Sequence, residues 1–207
     1  MKIAMIGTGY VGLVSGVCFS DFGHDVVCVD NNPDKVASLQ RGEVPIYEPG
    51  LELLMARNVD AGRLSFTGNL TEAVQGADAV FVAVGTPTRR GDGQADLTYV
   101  MAAAEGIARA ASDYVVIVTK STVPVGTNRA VKGVVAAANP HLDFDVASNP
   151  EFLREGAAIE DFMKPDRVVV GIETDRAKDV MSQIYPPLYL RAFPILTTYL
   201  ERSHLIN

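Results

Sequence analysis

The chain has 207 residues, 48% of them apolar and 21% charged, with a formal net charge of -7. That is enough chain to bury a substantial core, and the acidic balance excludes the basic surface that nucleic-acid binding needs. No apolar run is long enough to span a membrane, and Cys18 and Cys28 lack the spacing of a metal site or a disulfide framework, so no metal is expected and a reducing compartment is the simpler setting.

KIAMIG opens the chain as a buried strand. Gly7, Gly9 and Gly12 interrupt the apolar run that follows, which argues for folded structure rather than a secretory leader. The strand runs into Gly7-Thr8-Gly9-Tyr10-Val11-Gly12 and then a helix over about 10–22. In that arrangement the first glycine permits a tight turn and the second lets the backbone approach a pyrophosphate. The third lets helix and strand pack closely, and the helix N-terminus offers free N–H groups to the anion. The next strand, DVVCVD, ends in Asp30, at the spacing where a carboxylate accepts hydrogen bonds from an adenosine ribose. Its charge repels a 2′-phosphate, which favours NAD over NADP. Lys35, in the helix expected over 33–41, either reaches the same ribose or is a solvated helix lysine.

Further along, helices are expected at about 49–59, 70–76, 97–111, 127–138 and 174–184. They alternate with the strands LSF, AVFVAVGTP, YVVIVTKST, FDVASNP and RVVVGIE. Most of these strands are apolar throughout, so both faces of the sheet are covered. Strand–helix alternation of this kind gives a Rossmann-like, doubly wound, mostly parallel sheet with helices on both faces. The polar loop Thr88 to Ala95 follows a strand's carboxyl end, where open sheets of this type bind ligands. Thr86, Ser121 and Thr122 crown two strand ends with hydroxyls that serve either the same crevice or the caps of the next helices.

In SNPEFLREGAAIEDF, Ser148 to Phe162, Pro150 ends a strand and a helix is expected to begin near Glu151, with Glu151 and Glu155 on one face. Such a pair is either a solvated face or, at the carboxyl end of a central strand, a place where substrate meets nicotinamide. Arg154 pairs with a phosphate or with a surface acid. His24, His141 and His204 have no serine or acid constellation around them.

Taken together, GTGYVG, the strand-ending Asp30, IYEPGL at Ile46 to Leu51, VGTPT, KSTVPVGT and SNPEFLREG resemble the N-terminal half of the UDP-glucose/GDP-mannose dehydrogenase family, most closely its bacterial branch acting on UDP-glucose. The resemblance covers residues 1 to about 185. It implies NAD-dependent oxidation of C6 of a nucleotide sugar, from alcohol to carboxylate, through a cysteine-bound intermediate. It also implies that Glu151 handles the hydrolytic water, that Thr122 positions it, and that Glu155 contacts the nicotinamide side of NAD. Residues Glu151, Phe152, Leu153, Arg154 and Glu155 are then placed along the sugar, and Gly7, Gly9, Tyr10, Val11, Gly12, Asp30, Lys35, Thr86, Ser121 and Thr122 around the cofactor. The family's nucleophilic cysteine lies in its second half. Residues 1–185 are accordingly expected to form the NAD-binding domain, with 186–207 as a last strand and the start of an interdomain helix, and the UDP-binding domain absent. A cytoplasmic enzyme, homodimeric at full length, is implied. The same residues also fit a dehydrogenase of GDP-mannose or a UDP-N-acetylhexosamine, or a non-enzymatic NAD-binding module.

Overall fold

The computed structural model describes residues 1–89, 91, 93–185 and 195–200. Arg90 and Asp92 of the polar loop, and His204, lie outside the described residues.

The first half winds outward from β1. β1 (Lys2–Ile6) leads through α1 (Tyr10–Asp21) to β2 (Asp25–Val29), then through α2 (Pro33–Gln40) and α3 (Leu51–Asp60) to β3 (Leu64–Thr67). α4 (Leu70–Val74) carries the chain back across to β4 (Ala79–Val82) on the other side of β1. The second half then continues outward through α5 (Thr98–Ala110), β5 (Val115–Thr119), α6 (Thr127–Ala138), β6 (Phe144–Ser148), α7 (Ala158–Met163), β7 (Val168–Ile172), α8 (Asp175–Ile184) and β8 (Ile195–Tyr199). The sheet order is β3-β2-β1-β4-β5-β6-β7-β8. The strand order reverses between β1 and β4, which opens a crevice at their carboxyl ends.

Pairing is parallel from β3 through β6, and β7 pairs in parallel with β8. β6 and β7 are antiparallel, joined at Ser148 and Gly171. The last two strands therefore run against the other six. Alternation along each strand divides the core into two layers. Ile3, Met5, Phe81, Val116 and Val118 pack on one face with Leu13, Phe19, Phe162 and Ile184. Ala4, Ile6, Val80, Val82 and Ile117 pack on the other with Val100, Ile107, Val131 and Val135. Phe19 centres the first layer, with ring centroids 4.9 Å from Phe81, 5.1 Å from Phe162 and 5.5 Å from Tyr185.

Two expectations need correction. The strand AVFVAVGTP ends at Val82, after which Ala83 N–H makes one more bond to the Ile6 carbonyl, at 2.8 Å, before the chain turns into the crevice. The helix expected from Glu151 begins instead at Ala158, and Glu151 and Glu155 lie in a loop with no shared helical face. Gly156 adopts φ 85°, a left-handed conformation that interrupts any helix there. The free N–H groups of this loop are taken by acids described below.

Candidate functional site

The crevice at the carboxyl ends of β1, β2 and β4 measures about 910 Å³, and its walls include Gly9, Asp30, Lys35, Leu70, Thr86 and Tyr99. Its floor is backbone. Gly7 has φ 97°, and a side chain there would meet the Ala83 carbonyl at 2.8 Å. A Cβ on Gly12 would come within 1.9 Å of the Gly7 carbonyl, so α1 lies against the end of β1 at a distance no other residue allows. At Gly9 an added Cβ meets nothing within 4 Å, because that side faces the open crevice. Two glycines thus close the turn, and the third leaves space for a pyrophosphate over the N-terminus of α1.

Asp30 follows β2. Its Oδ2 accepts from Thr8 N–H at 3.0 Å, the Thr8 hydroxyl at 2.6 Å and the Lys35 ammonium at 3.1 Å, and its Oδ1 accepts from Asn32 N–H at 3.1 Å. Burial pushes this carboxyl up, but the bonds from the Thr8 hydroxyl, the Asn32 and Thr8 amides and Lys35 outweigh it and hold the group below the usual carboxylate range. Asp30 therefore presents a charged acceptor to the crevice and also fastens the glycine-rich turn. Lys35 is held beside it because Asn32 caps α2, accepting from Asp34 and Lys35 N–H, with Pro33 at the first helical position. Thr8 was not singled out as a site residue, although it lies inside the motif. Its role depends on a contact 22 residues away.

The hydroxyl clusters join the two strand ends. The Ser121 hydroxyl donates to the Val84 carbonyl at 2.8 Å, and the Thr86 hydroxyl donates to the Thr122 carbonyl at 3.4 Å. Thr86 also lines the crevice, whereas Ser121 and Thr122 lie beside it. The Thr122 side chain is exposed.

The acidic loop is built differently. Asn149 N–H donates to the Thr119 carbonyl at 2.9 Å, prolonging the β5–β6 ladder, and Pro150 then ends it. The Glu151 carboxylate accepts from Leu153 N–H at 2.6 Å. Arg154 meets Asp161 through two guanidinium bonds of 3.1 and 2.6 Å and its own N–H at 2.9 Å, so this arginine pairs with an acid of α7. Glu48, from the IYEPGL segment and only 7% exposed, accepts from the Tyr10 hydroxyl, from Gly156 N–H at 2.9 Å and from Ile159 N–H at 3.4 Å. The Tyr10 phenol is thus bonded to Glu48 and, pushed up to about 12 by burial and by Glu48, stays protonated to donate. Tyr10 and Glu48 tie the start of α1 to the loop that carries Glu151 and Glu155. Glu155 is exposed, and Phe152 stacks near the Arg167 guanidinium, 5.4 Å from its ring centroid.

Neither cysteine serves this site. Cys18 and Cys28 are fully buried, and burial pushes both thiols up, that of Cys28 to about 12. His24 is buried and bonds through Nε2 to the Ile184 carbonyl at 2.8 Å. Among the described residues no helix is long and apolar enough to cross a membrane.

A glycine-rich strand–turn–helix, an acid after β2 and a crevice where the strand order reverses define a dinucleotide-binding, Rossmann-like domain of the dehydrogenase type. The family can be given as well. Residues 1–189 match the UDP-glucose/GDP-mannose dehydrogenase family, NAD binding domain, and the chain belongs to that family. Its cofactor is NAD. The UDP-glucose 6-dehydrogenase of Rhizobium meliloti is 58% identical over 209 residues, covering 100% of this chain and 48% of that protein. UDP-glucose 6-dehydrogenase TuaD of Bacillus subtilis is 48% identical over 207 residues, covering 100% of this chain and 44% of that one. Among solved structures, a UDP-glucose dehydrogenase from the archaeon Pyrobaculum islandicum superposes with a TM-score of 0.92 at 45% identity, over 99% of this chain and 47% of that one. GDP-mannose dehydrogenase from Pseudomonas aeruginosa gives a TM-score of 0.92 at 36% identity, over 100% of this chain and 48% of that one. The chain spans about half the length of the relatives it matches.

Proposed function

We propose that this chain is the NAD-binding half of a nucleotide-sugar 6-dehydrogenase whose substrate is UDP-glucose, oxidised at C6 to UDP-glucuronate by two successive hydride transfers. The observation that carries the reading is the junction of two parts. The crevice ending at Gly9 and Asp30 and the loop holding Glu151 and Glu155 are bound to one another through Tyr10 and Glu48. The 58% identity to a UDP-glucose 6-dehydrogenase along the whole chain supports the choice of sugar nucleotide.

In this reading NAD, when bound, accepts hydride. The chain's own groups bind, orient and move protons. Asp30 and Lys35 hold the adenosine ribose, and the free N–H groups opening α1 hold the pyrophosphate. Glu151 takes a proton from the hydrolytic water with Thr122 beside it, Glu155 faces the nicotinamide, and the backbone from Phe152 to Arg154 follows the sugar. The thiol that carries the acyl group comes from the second half of the protein, because both cysteines here are sealed in the core. Residues 1–185 form the cofactor domain. The whole protein is a cytoplasmic homodimer.

Calorimetry on the 207-residue chain is expected to give NAD binding with no NADH formed from UDP-glucose. Adding a second half in trans is expected to restore NADH formation, and continued silence would favour a non-enzymatic NAD-binding module. Competition among UDP-glucose, GDP-mannose and UDP-N-acetylhexosamines in the completed protein assigns the sugar. In that protein Glu151→Gln is expected to accumulate a covalent thioester, and its absence would refute the role given to Glu151.

A further inference from the structure

Lys120 stands immediately after β5, two residues before Thr122, and is only 3% exposed. Its ammonium donates to Asn149 Oδ1 at 3.1 Å. The same oxygen accepts from the Tyr185 hydroxyl at 2.6 Å, while Asn149 Nδ2 donates to the Val169 carbonyl at 2.9 Å, so the amide is oriented from three sides. The Phe162 ring lies below the ammonium, 5.6 Å away at its centroid. An ammonium carries three donors, and among the described residues Asn149 supplies the one hydrogen-bond acceptor found for it. Fully buried lysines are rare unless paired, so this one needs a further partner.

A small cavity of about 40 Å³ adjoins it, lined by Lys120, Asn149, Glu151, Phe162 and Tyr185 among others. That is room for roughly one or two waters. The charged and titratable groups around the ammonium are few. Cys18 faces it from α1, its thiol pushed up by burial and so uncharged. Tyr185 donates to the shared amide, Asp161 of α7 is committed to Arg154, and Arg167 lies over Phe152. Glu151 remains as the carboxylate whose charge acts on the ammonium.

We propose that Lys120 is a positioning residue of the reaction centre: aimed by Asn149, its ammonium fixes the exit of β6 that carries Glu151 and holds water against that carboxylate. The inference rests on the reading of Glu151 as the residue that handles water. Burial pushes the ammonium down to about 8, opposed by the charge of Glu151, so the bond to Asn149 weakens within reach of ordinary assay conditions.

Two measurements test it. In the 207-residue chain with 13C-labelled lysine, the Lys120 side-chain resonance is expected to titrate near pH 8, and Glu151→Gln is expected to move that midpoint downward. A midpoint indifferent to Glu151→Gln would overturn the pairing, and this result does not depend on any Lys120 variant folding. In the protein completed with its second half, Lys120→Met is expected to lower kcat by about 10-fold or more, with little change in KM for NAD. It should also remove the fall in activity above about pH 8, and Lys120→Arg should recover part of the rate. Unchanged kcat in a folded Lys120→Met protein would sink the positioning role. Intact Lys120–Glu151 coupling with no thioester in Glu151→Gln would instead fault the functional reading alone.

Discussion

The crevice and the acidic loop lie at the same end of one sheet but are held by different kinds of contact. The crevice is shaped by backbone: Gly7, Gly9 and Gly12 set the turn within six residues, and Asp30 reaches in from the end of the next strand. The acidic loop is shaped by side chains from distant parts of the chain, with Glu48 reaching across 108 positions to Gly156 and Tyr10 across 146. A site built from local backbone fails when the backbone is blocked. A site built from remote acids fails when one carboxylate is neutralised, and it leaves the crevice standing.

Gly12→Ala tests the first half of that contrast and should have the largest effect. Its methyl would lie 1.9 Å from the Gly7 carbonyl, so the helix must move off the strand, at about 3 kcal/mol of stability. NAD binding should fall below calorimetric detection, and denaturant titration reads the loss of stability.

Lys120 contributes through pH. Its ammonium titrates near 8 in the fold against an ordinary value of 10.5, so between those values the unfolded chain binds a proton that the native state has released. Stability from this group therefore rises with pH across that window, by about 3 kcal/mol at most, and the burial of its charge is a cost below it. The buried thiols act in the opposite direction above their ordinary value of 9, equally in wild type and variant. The difference in unfolding free energy between wild type and Lys120→Met should accordingly move in favour of wild type as pH rises from about 8 to 10.5.

Glu48→Gln separates the two regions directly. Removing a buried charged acceptor of two amides and a phenol is expected to cost about 2 kcal/mol. Hydrogen exchange at Gly156 and Ile159 should accelerate, while NAD affinity, which the proposed function assigns to the glycine turn and Asp30, should change little. Equal loss of both would show that crevice and loop are one unit. The smallest effect belongs to Arg154→Ala. Its pair with Asp161 is well formed, but the arginine side chain is 78% exposed, so less than about 1 kcal/mol should be lost.

The same contrast explains what was legible beforehand. KIAMI, the glycine turn and Asp30 could be read because strand, turn and helix each follow from residues close in sequence, and α6 was expected over 127–138 and is found over Thr127–Ala138. The helix expected at Glu151 could not survive Gly156 at φ 85°, and the N–H groups that a helix would have used go to Glu48 and Glu151. IYEPGL was recognisable as a family segment, yet nothing in it marked Glu48 as the acid that closes a loop more than 100 residues away. In KSTVPVGT the hydroxyls drew attention and Lys120 did not, because a lysine carries no sign of being buried.

Sequence by itself determined the parts governed by local chemistry: apolar strands on both sheet faces, the turn that only glycine permits, and the acid one strand later. Tertiary structure decided the reversal of β7 and β8, the Tyr10–Glu48 tie, and the enclosure of Lys120 beside Glu151. Strand direction is invisible in an all-apolar run, since either orientation buries the same faces. The partners of a carboxylate or an ammonium are set by whichever segments the completed core brings within about 3 Å.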